Sequence, residues 1–206
     1  MPLVLSLQGC MAVGKTTAVR YLQRHAPHIH VSFEDNAAVI AEVRRRGLQK
    51  TVYADYLEIQ KLWLAAEVRR WEKAQAHPCT VMDFGAEEIE FYTLHYPASI
   101  GRDWAVEAPL HRELEAVRRC LPQRILFLDA DEAELRRRKE HDPTRSRAFF
   151  EEHLTRLLPA KRQWFCGRPD VDMLDTTHLS PEALGAAVLQ WVEACRRRSG
   201  PQDAGE

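Results

Sequence analysis

The sequence predicts an α/β domain built on a parallel sheet, and three observations carry that expectation. Short apolar runs alternate with segments of helical periodicity along the chain. The first run stops at a glycine-bearing loop, Gly9-Cys10-Met11-Ala12-Val13-Gly14-Lys15-Thr16, and a helical segment opens at its lysine. Two later runs each close on an aspartate, Asp83 and Asp129. With 206 residues, 45% of them apolar, the chain can bury one sizeable core, so a single domain is expected over 1–198, followed by a disordered tail over 199–206.

The elements follow in order. Leu3 to Leu7 reads as a buried parallel strand, and Lys15 to Arg24 as the helix after the loop. Ile29 to Phe33 gives a second short strand ending at Glu34-Asp35. Tyr53 to Ala76 reads as a long helix with Ile59, Leu62, Trp63 and Ala66 on its buried face, ended by Pro78. Thr80 to Met82 and Arg124 to Leu128 are the strands closed by the two aspartates. Glu132 to Lys139 and Ala148 to Phe165 read as helices, the second with Phe150, Leu154 and Leu157 on one side. Val171 to Leu174 is a fifth strand, and Ser180-Pro181 is an N-cap with proline in the first helical position, opening a helix with Leu184, Val188, Trp191 and Cys195 in register.

Bulk properties narrow the function. Lys plus Arg (29) nearly balance Asp plus Glu (30), so there is no global positive field of the kind that draws proteins to nucleic acid or anionic membranes. No stretch approaches the roughly eighteen apolar residues of a membrane span, and the N-terminus has no signal-peptide pattern. Five scattered cysteines without a CxxC pair, and nine histidines without metal-ligand spacing, imply reduced thiols and no zinc site. A cytoplasmic protein is expected.

The chemistry centres on the GxxxxGKT pattern, which lies where its mechanism needs it, after a buried strand and at the mouth of a helix. The loop residues Gly9, Ala12, Val13, Gly14, Lys15, Thr16 and Thr17 would cradle phosphates. Lys15 would neutralise the β- and γ-phosphates, and the Thr16 hydroxyl would hold Mg²⁺. Phosphoryl transfer also needs an acid near the metal, and both Asp83 and Asp129 fit; Asp129, with Glu132 three residues on, also fits a capping box. The arginines Arg136, Arg137, Arg138, Arg145 and Arg147 bracket His141-Asp142-Pro143-Thr144 between two helices, as a segment closing over a nucleotide would.

The loop LQGCMAVGKTT, the acidic pair in SFEDN, the helix YLEIQKLWLAAEVRRW, the strand end VMDFG and the segment LRRRKEHDPTRSR together resemble the nucleoside and nucleotide kinase group of P-loop proteins, particularly deoxynucleoside kinases and thymidylate kinases. The resemblance spans nearly the whole chain, with loose motifs outside the phosphate loop. It implies a three-layer P-loop fold with a five-stranded parallel sheet in the order 2-3-1-4-5, an arginine-rich lid carrying Arg138, Arg145 and Arg147, and Asp83 beside the phosphate loop as a ligand of Mg²⁺. It also matches Glu34, with Asp35 as the near alternative, to the acid that activates a sugar hydroxyl, and Gln60 to a glutamine that reads the base. Arg69 or Arg70 falls about where thymidylate kinases carry a helix arginine. The sequence departs from both families in having Asp83-Phe84-Gly85 where they have an acid followed directly by arginine. The resemblance further places the aromatic and acidic stretch Glu87 to Tyr96 over the acceptor, with Glu87, Glu88 and Tyr92 as candidate contacts.

These readings combine into an expected function: transfer of the γ-phosphoryl group of ATP, with Mg²⁺, to a hydroxyl of a small-molecule acceptor, a nucleoside first. Glu34 or Asp83 would position or deprotonate that hydroxyl. A nucleoside monophosphate kinase and an antibiotic or small-metabolite phosphotransferase are alternatives, and a nucleotide-dependent regulatory switch is the alternative from another class. No nucleic acid or membrane partner is expected, and a homodimer is left open.

Overall fold

The structure is a computed structural model that describes residues 2–140 and 147–199. Five strands, β1 (Leu3–Gly9), β2 (His30–Ser32), β3 (Cys79–Asp83), β4 (Arg124–Asp129) and β5 (Val171–Asp175), form one parallel sheet in the order β2-β3-β1-β4-β5. β1 and β3 are buried along their whole length, as strands covered on both faces must be, whereas β2 and β5 at the edges are only part-buried. The register sets Leu7 beside Asp83 and Gly9 beside Leu128, so the carboxyl ends of β1, β3 and β4 open at one edge. Ligands of open α/β sheets bind at that edge.

The helices are α1 (Lys15–His25), α2 (Ala37–Arg45), α3 (Tyr53–Ala74), α4 (Ala86–Ser99), α5 (His111–Arg118), α6 (Glu132–Glu140), α7 (Arg147–Glu152), α8 (Leu158–Phe165) and α9 (Pro181–Ser199). They cover both faces of the sheet in the P-loop kinase arrangement. α1 packs on α9 so closely that a Cβ built on Gly185 would lie 2.2 Å from the Tyr21 Cγ. The opposite layer is α3, α4 and α5 packed on one another, with α8 against α4. The alternation along β1 sorts its residues: Leu3, Leu5 and Leu7 belong to the main core, while Val4 meets Met82 and Ala74. Ser6 and Gln8, on the Val4 face, are fully buried polar residues inside this strand.

Three differences from the sequence reading have physical causes. The buried stripe of α3 runs Tyr56, Ile59, Gln60, Leu64 and Glu67, not along Leu62, Trp63 and Ala66, because two of its members are polar and escape an apolar periodicity. The segment expected to be one helix from Ala148 to Phe165 is α7, a π-helical turn over His153–Leu157, and then α8. Pro159 explains the break, since it lacks the N–H that would bond to Thr155 and its ring crowds that carbonyl; widening the preceding turn relieves both. α2 and α5 are helices the apolar pattern did not reveal, being short at 9 and 8 residues. Ser180 behaves as the expected cap, its Oγ accepting from the Ala183 N–H at 3.1 Å. Of the expected tail, Ser199 closes α9 and 200–206 lie outside the described residues.

Candidate phosphoryl-transfer site

β1 hands the chain to α1 through the glycine loop. Gly9 has φ +131°, and a Cβ there would lie 2.2 Å from the Leu128 carbonyl oxygen, so only glycine lets the loop turn against β4. Ala12 also takes a left-handed conformation, φ 63°, at the crest of the loop. The Lys15 ammonium donates to the Gly9 and Cys10 carbonyls at 3.0 Å each. Burial, and after it the Lys161 charge, lowers the Lys15 pKa from that of an ordinary lysine. Thr16 Oγ1 donates to Asp83 Oδ2 at 2.8 Å. Register explains this pairing: β3 ends one strand away from the loop, whereas Asp129 turns to α8 and pairs with Arg162 through both carboxylate oxygens. Asp129 is therefore not the cap expected of it, and α6 begins after Asp131, whose carbonyl accepts its first bond from Leu135.

The loop floors a cleft of about 760 Å³. Its walls carry the carboxylates Glu34, Asp83, Glu88 and Glu134 and the cations Lys15, Arg20, Arg137, Arg138, Lys139 and Lys161. Arg138 braces the loop, donating to the Val13 carbonyl at 3.1 Å, to Thr176 and to Glu134. Arg137 also binds Glu134, and the two guanidiniums hold that carboxyl down to about 2. On the opposite side, Phe84 adopts φ 50°, a conformation non-glycine residues avoid. Arg70 secures it: its guanidinium lies 5.3 Å from the Phe84 ring and donates to the Phe84, Asp83 and Ser32 carbonyls, while also bonding Glu67. Thr16 and Asp83 supply two hard oxygens side by side, which fits Mg²⁺, an ion that takes one or two protein ligands and completes its shell with phosphate oxygens and water. No cluster of three or more His, Cys, Asp or Glu side chains suited to a metal occurs among the described residues.

The structure brings Gly9, Ala12, Gly14, Lys15, Thr16, Thr17, Glu34, Asp83 and Arg138 to this cleft, with Val13 buried behind the loop. Several other sequence candidates fall elsewhere. Glu87 is fully buried against β1, where its Oε1 accepts from Ser6 Oγ, from Gln8 Nε2 at 2.7 Å and from the Gly85 N–H at 3.0 Å. Its neighbour Glu88, about 100° round the helix, faces the cleft instead. Gln60 is buried in the α3–α4 contact, its Oε1 accepting from Thr93 Oγ1 at 2.8 Å. Tyr92 stacks on Tyr96 at 4.8 Å and on His153 at 6.1 Å, and burial raises its phenol pKa; it does not line the cleft. Arg69 is exposed, and Arg70 takes the inward position. Arg147 is exposed at the start of α7, and Arg145 lies outside the described residues. No sequence pattern joins Lys161 to Glu88: 72 residues of chain lie between them, and only the packing of α8 on α4 unites them.

The family comparison matches residues 5–165 to the family described as AAA domain. The chain belongs to that family. This places it among P-loop NTPases, in keeping with the loop and the sheet order. No curated protein is significantly similar to it in sequence. Among solved structures it is similar to deoxyadenosine kinase from M. mycoides with bound dCTP, at 10% identity and TM-score 0.65, over 93% of this chain and 100% of the other. The same enzyme with the products dCMP and a flexible dCDP bound gives TM-score 0.67, again at 10% identity with 93% and 100% covered. At that identity the likeness describes the fold of this AAA domain. No described helix is long and apolar enough to cross a membrane.

Proposed function

We propose that this chain is an ATP- and Mg²⁺-dependent kinase that transfers the γ-phosphoryl group to a hydroxyl of an uncharged small molecule, with nucleosides first among the candidates. The observation that carries the reading is one cleft in which the phosphate loop and the Thr16–Asp83 pair face acceptor-side carboxylates Glu34 and Glu88. Lys15 would leave the Gly9 and Cys10 carbonyls for the phosphates. Thr16 and Asp83 would hold Mg²⁺, which neutralises charge on the phosphate oxygens. Glu34 would accept the proton as the acceptor oxygen bonds to the γ-phosphorus and the bridging oxygen departs with ADP. The acceptor is read as uncharged because Arg70 is committed to backbone oxygens and Glu67, and Arg69 points outward. The fold likeness to deoxyadenosine kinase supports a nucleoside within that class.

The test is ADP release, above an acceptor-free background, across nucleosides, nucleoside monophosphates and aminoglycosides, with Lys15→Ala as control. Stimulation by nucleosides, abolished in the control, is expected. Glu34→Gln should lose about 10²–10⁴-fold of the stimulated rate while keeping ATP affinity. Preference for monophosphates would make the chain a nucleotide kinase, and no stimulation by any acceptor would favour a regulatory switch.

A further inference from the structure

We propose that Lys161 of α8, far from the phosphate loop in sequence, is a second ammonium ligand of the γ-phosphoryl group, and that Glu88 is the partner it exchanges for that group. The inference rests on the reading that the cleft takes a nucleoside triphosphate.

Position comes first. Lys161 and Glu88 line the same cleft as Lys15, Thr16 and Asp83, and their charged groups meet at 2.5 Å. Lys161 is only 7% exposed, so its ammonium has lost most of its water, and the Phe91 ring 5.5 Å away supplies a weak second contact. A desolvated ion pair contributes little net stability, because the cost of drying both charges offsets their attraction. Lys161 can leave Glu88 only for a stronger anion, and Glu88, the more exposed partner at 19%, must then be rehydrated at the cleft wall.

Charge gives the second argument. Lys161 and Lys15 line the same cleft, whose floor is the phosphate loop. Two ammonium groups thus converge on one volume above the loop. A polyanion between them turns their repulsion into attraction to a shared ligand.

Direction identifies which phosphate. α8 packs on α4, the helix that follows Asp83 and carries Glu88 in its first turn. Lys161 therefore enters the cleft beside Glu88, the carboxylate read as acceptor-side. Lys15 already accounts for the β–γ junction, so a cation arriving from the acceptor side meets the terminal group. The π-helical turn before Pro159 sets this face, bringing His153, Leu157 and Leu158 into the wall with Lys161.

The test is equilibrium binding of Mg·ATP and Mg·ADP by titration calorimetry to the full chain and to Lys161→Met, Lys161→Arg and Glu88→Gln. Lys161→Met should weaken ATP about 10- to 100-fold, the worth of a charge-assisted contact, and change ADP less than about 3-fold. Lys161→Arg should restore most of the ATP preference, and Glu88→Gln should increase it by freeing the lysine. Equal loss of ATP and ADP affinity in Lys161→Met, with a lowered melting temperature, would show a structural ion pair and overturn the proposal. If Lys161→Met does not fold, Glu88→Gln decides: an unchanged ATP-to-ADP ratio overturns it. Failure of the wild-type chain to bind either nucleotide would instead remove the kinase reading itself.

Discussion

Glu87 offers the sharpest test of how the acidic helix start is built. Its carboxylate is the acceptor for three buried donors, Ser6 Oγ, Gln8 Nε2 and the Gly85 N–H. Glu87→Ala leaves all three unpaired, and each unpaired buried donor costs about 1–3 kcal/mol. Water entering the vacated volume would recover part of this, so a loss of about 3–5 kcal/mol is expected, a large share of a typical domain's stability. Glu87→Gln keeps an acceptor oxygen in nearly the same shape and should stay within about 1 kcal/mol of wild type. The pH dependence has a definite sign. Burial raises the Glu87 pKa above its ordinary 4.5, so the folded state retains a proton the unfolded chain releases. The resulting stabilisation is fully present below pH 4.5 and is lost as pH rises through the folded value; Glu87→Gln should remove that component. Urea unfolding at several pH values measures all three. A freely tolerated Glu87→Ala, or a Glu87→Gln as damaging as the alanine, would refute the buried-acceptor argument and return Glu87 to the acceptor site.

Asp83→Asn should raise the Mg²⁺ requirement and cut turnover by orders of magnitude, measured as ADP release across a magnesium titration, because it weakens the oxygen paired with Thr16. Asp129→Asn should cost about 1 kcal/mol through its part-exposed pair with Arg162 and leave turnover intact, and the opposite ranking would sink the strand-end assignment. Gly185→Ala gains helix propensity but sets a methyl 2.2 Å from Tyr21 Cγ, so α1 and α9 must part and the melting temperature should fall by several degrees. A stabilised Gly185→Ala would mean that the two helices do not pack as described.

What the sequence revealed and what it hid divide along a physical line. The nucleotide side is contiguous: one buried strand, one loop and one helix supply its glycines, Lys15 and Thr16, and the apolar strands that fix the sheet are read one at a time. The other wall of the cleft is assembled from single side chains on separate elements, where a shift of one residue turns a side chain by about 100°. Glu87 against Glu88 and Arg69 against Arg70 are that shift twice over. In both cases the deciding signal was polar rather than apolar. Ser6 and Gln8, inside a strand buried on both faces, require a buried acceptor, which commits Glu87 to the interior and leaves Glu88 for the cleft. Gln60 and Glu67 on the buried stripe of α3 shift its inward phase, and adding three to Glu67 reaches Arg70. Pro159 likewise announced the π-helical turn that orients Lys161. Reading buried polar residues as demands for partners, alongside the apolar pattern, would have set the phase of both helices and separated the residues that support this cleft from those that face it.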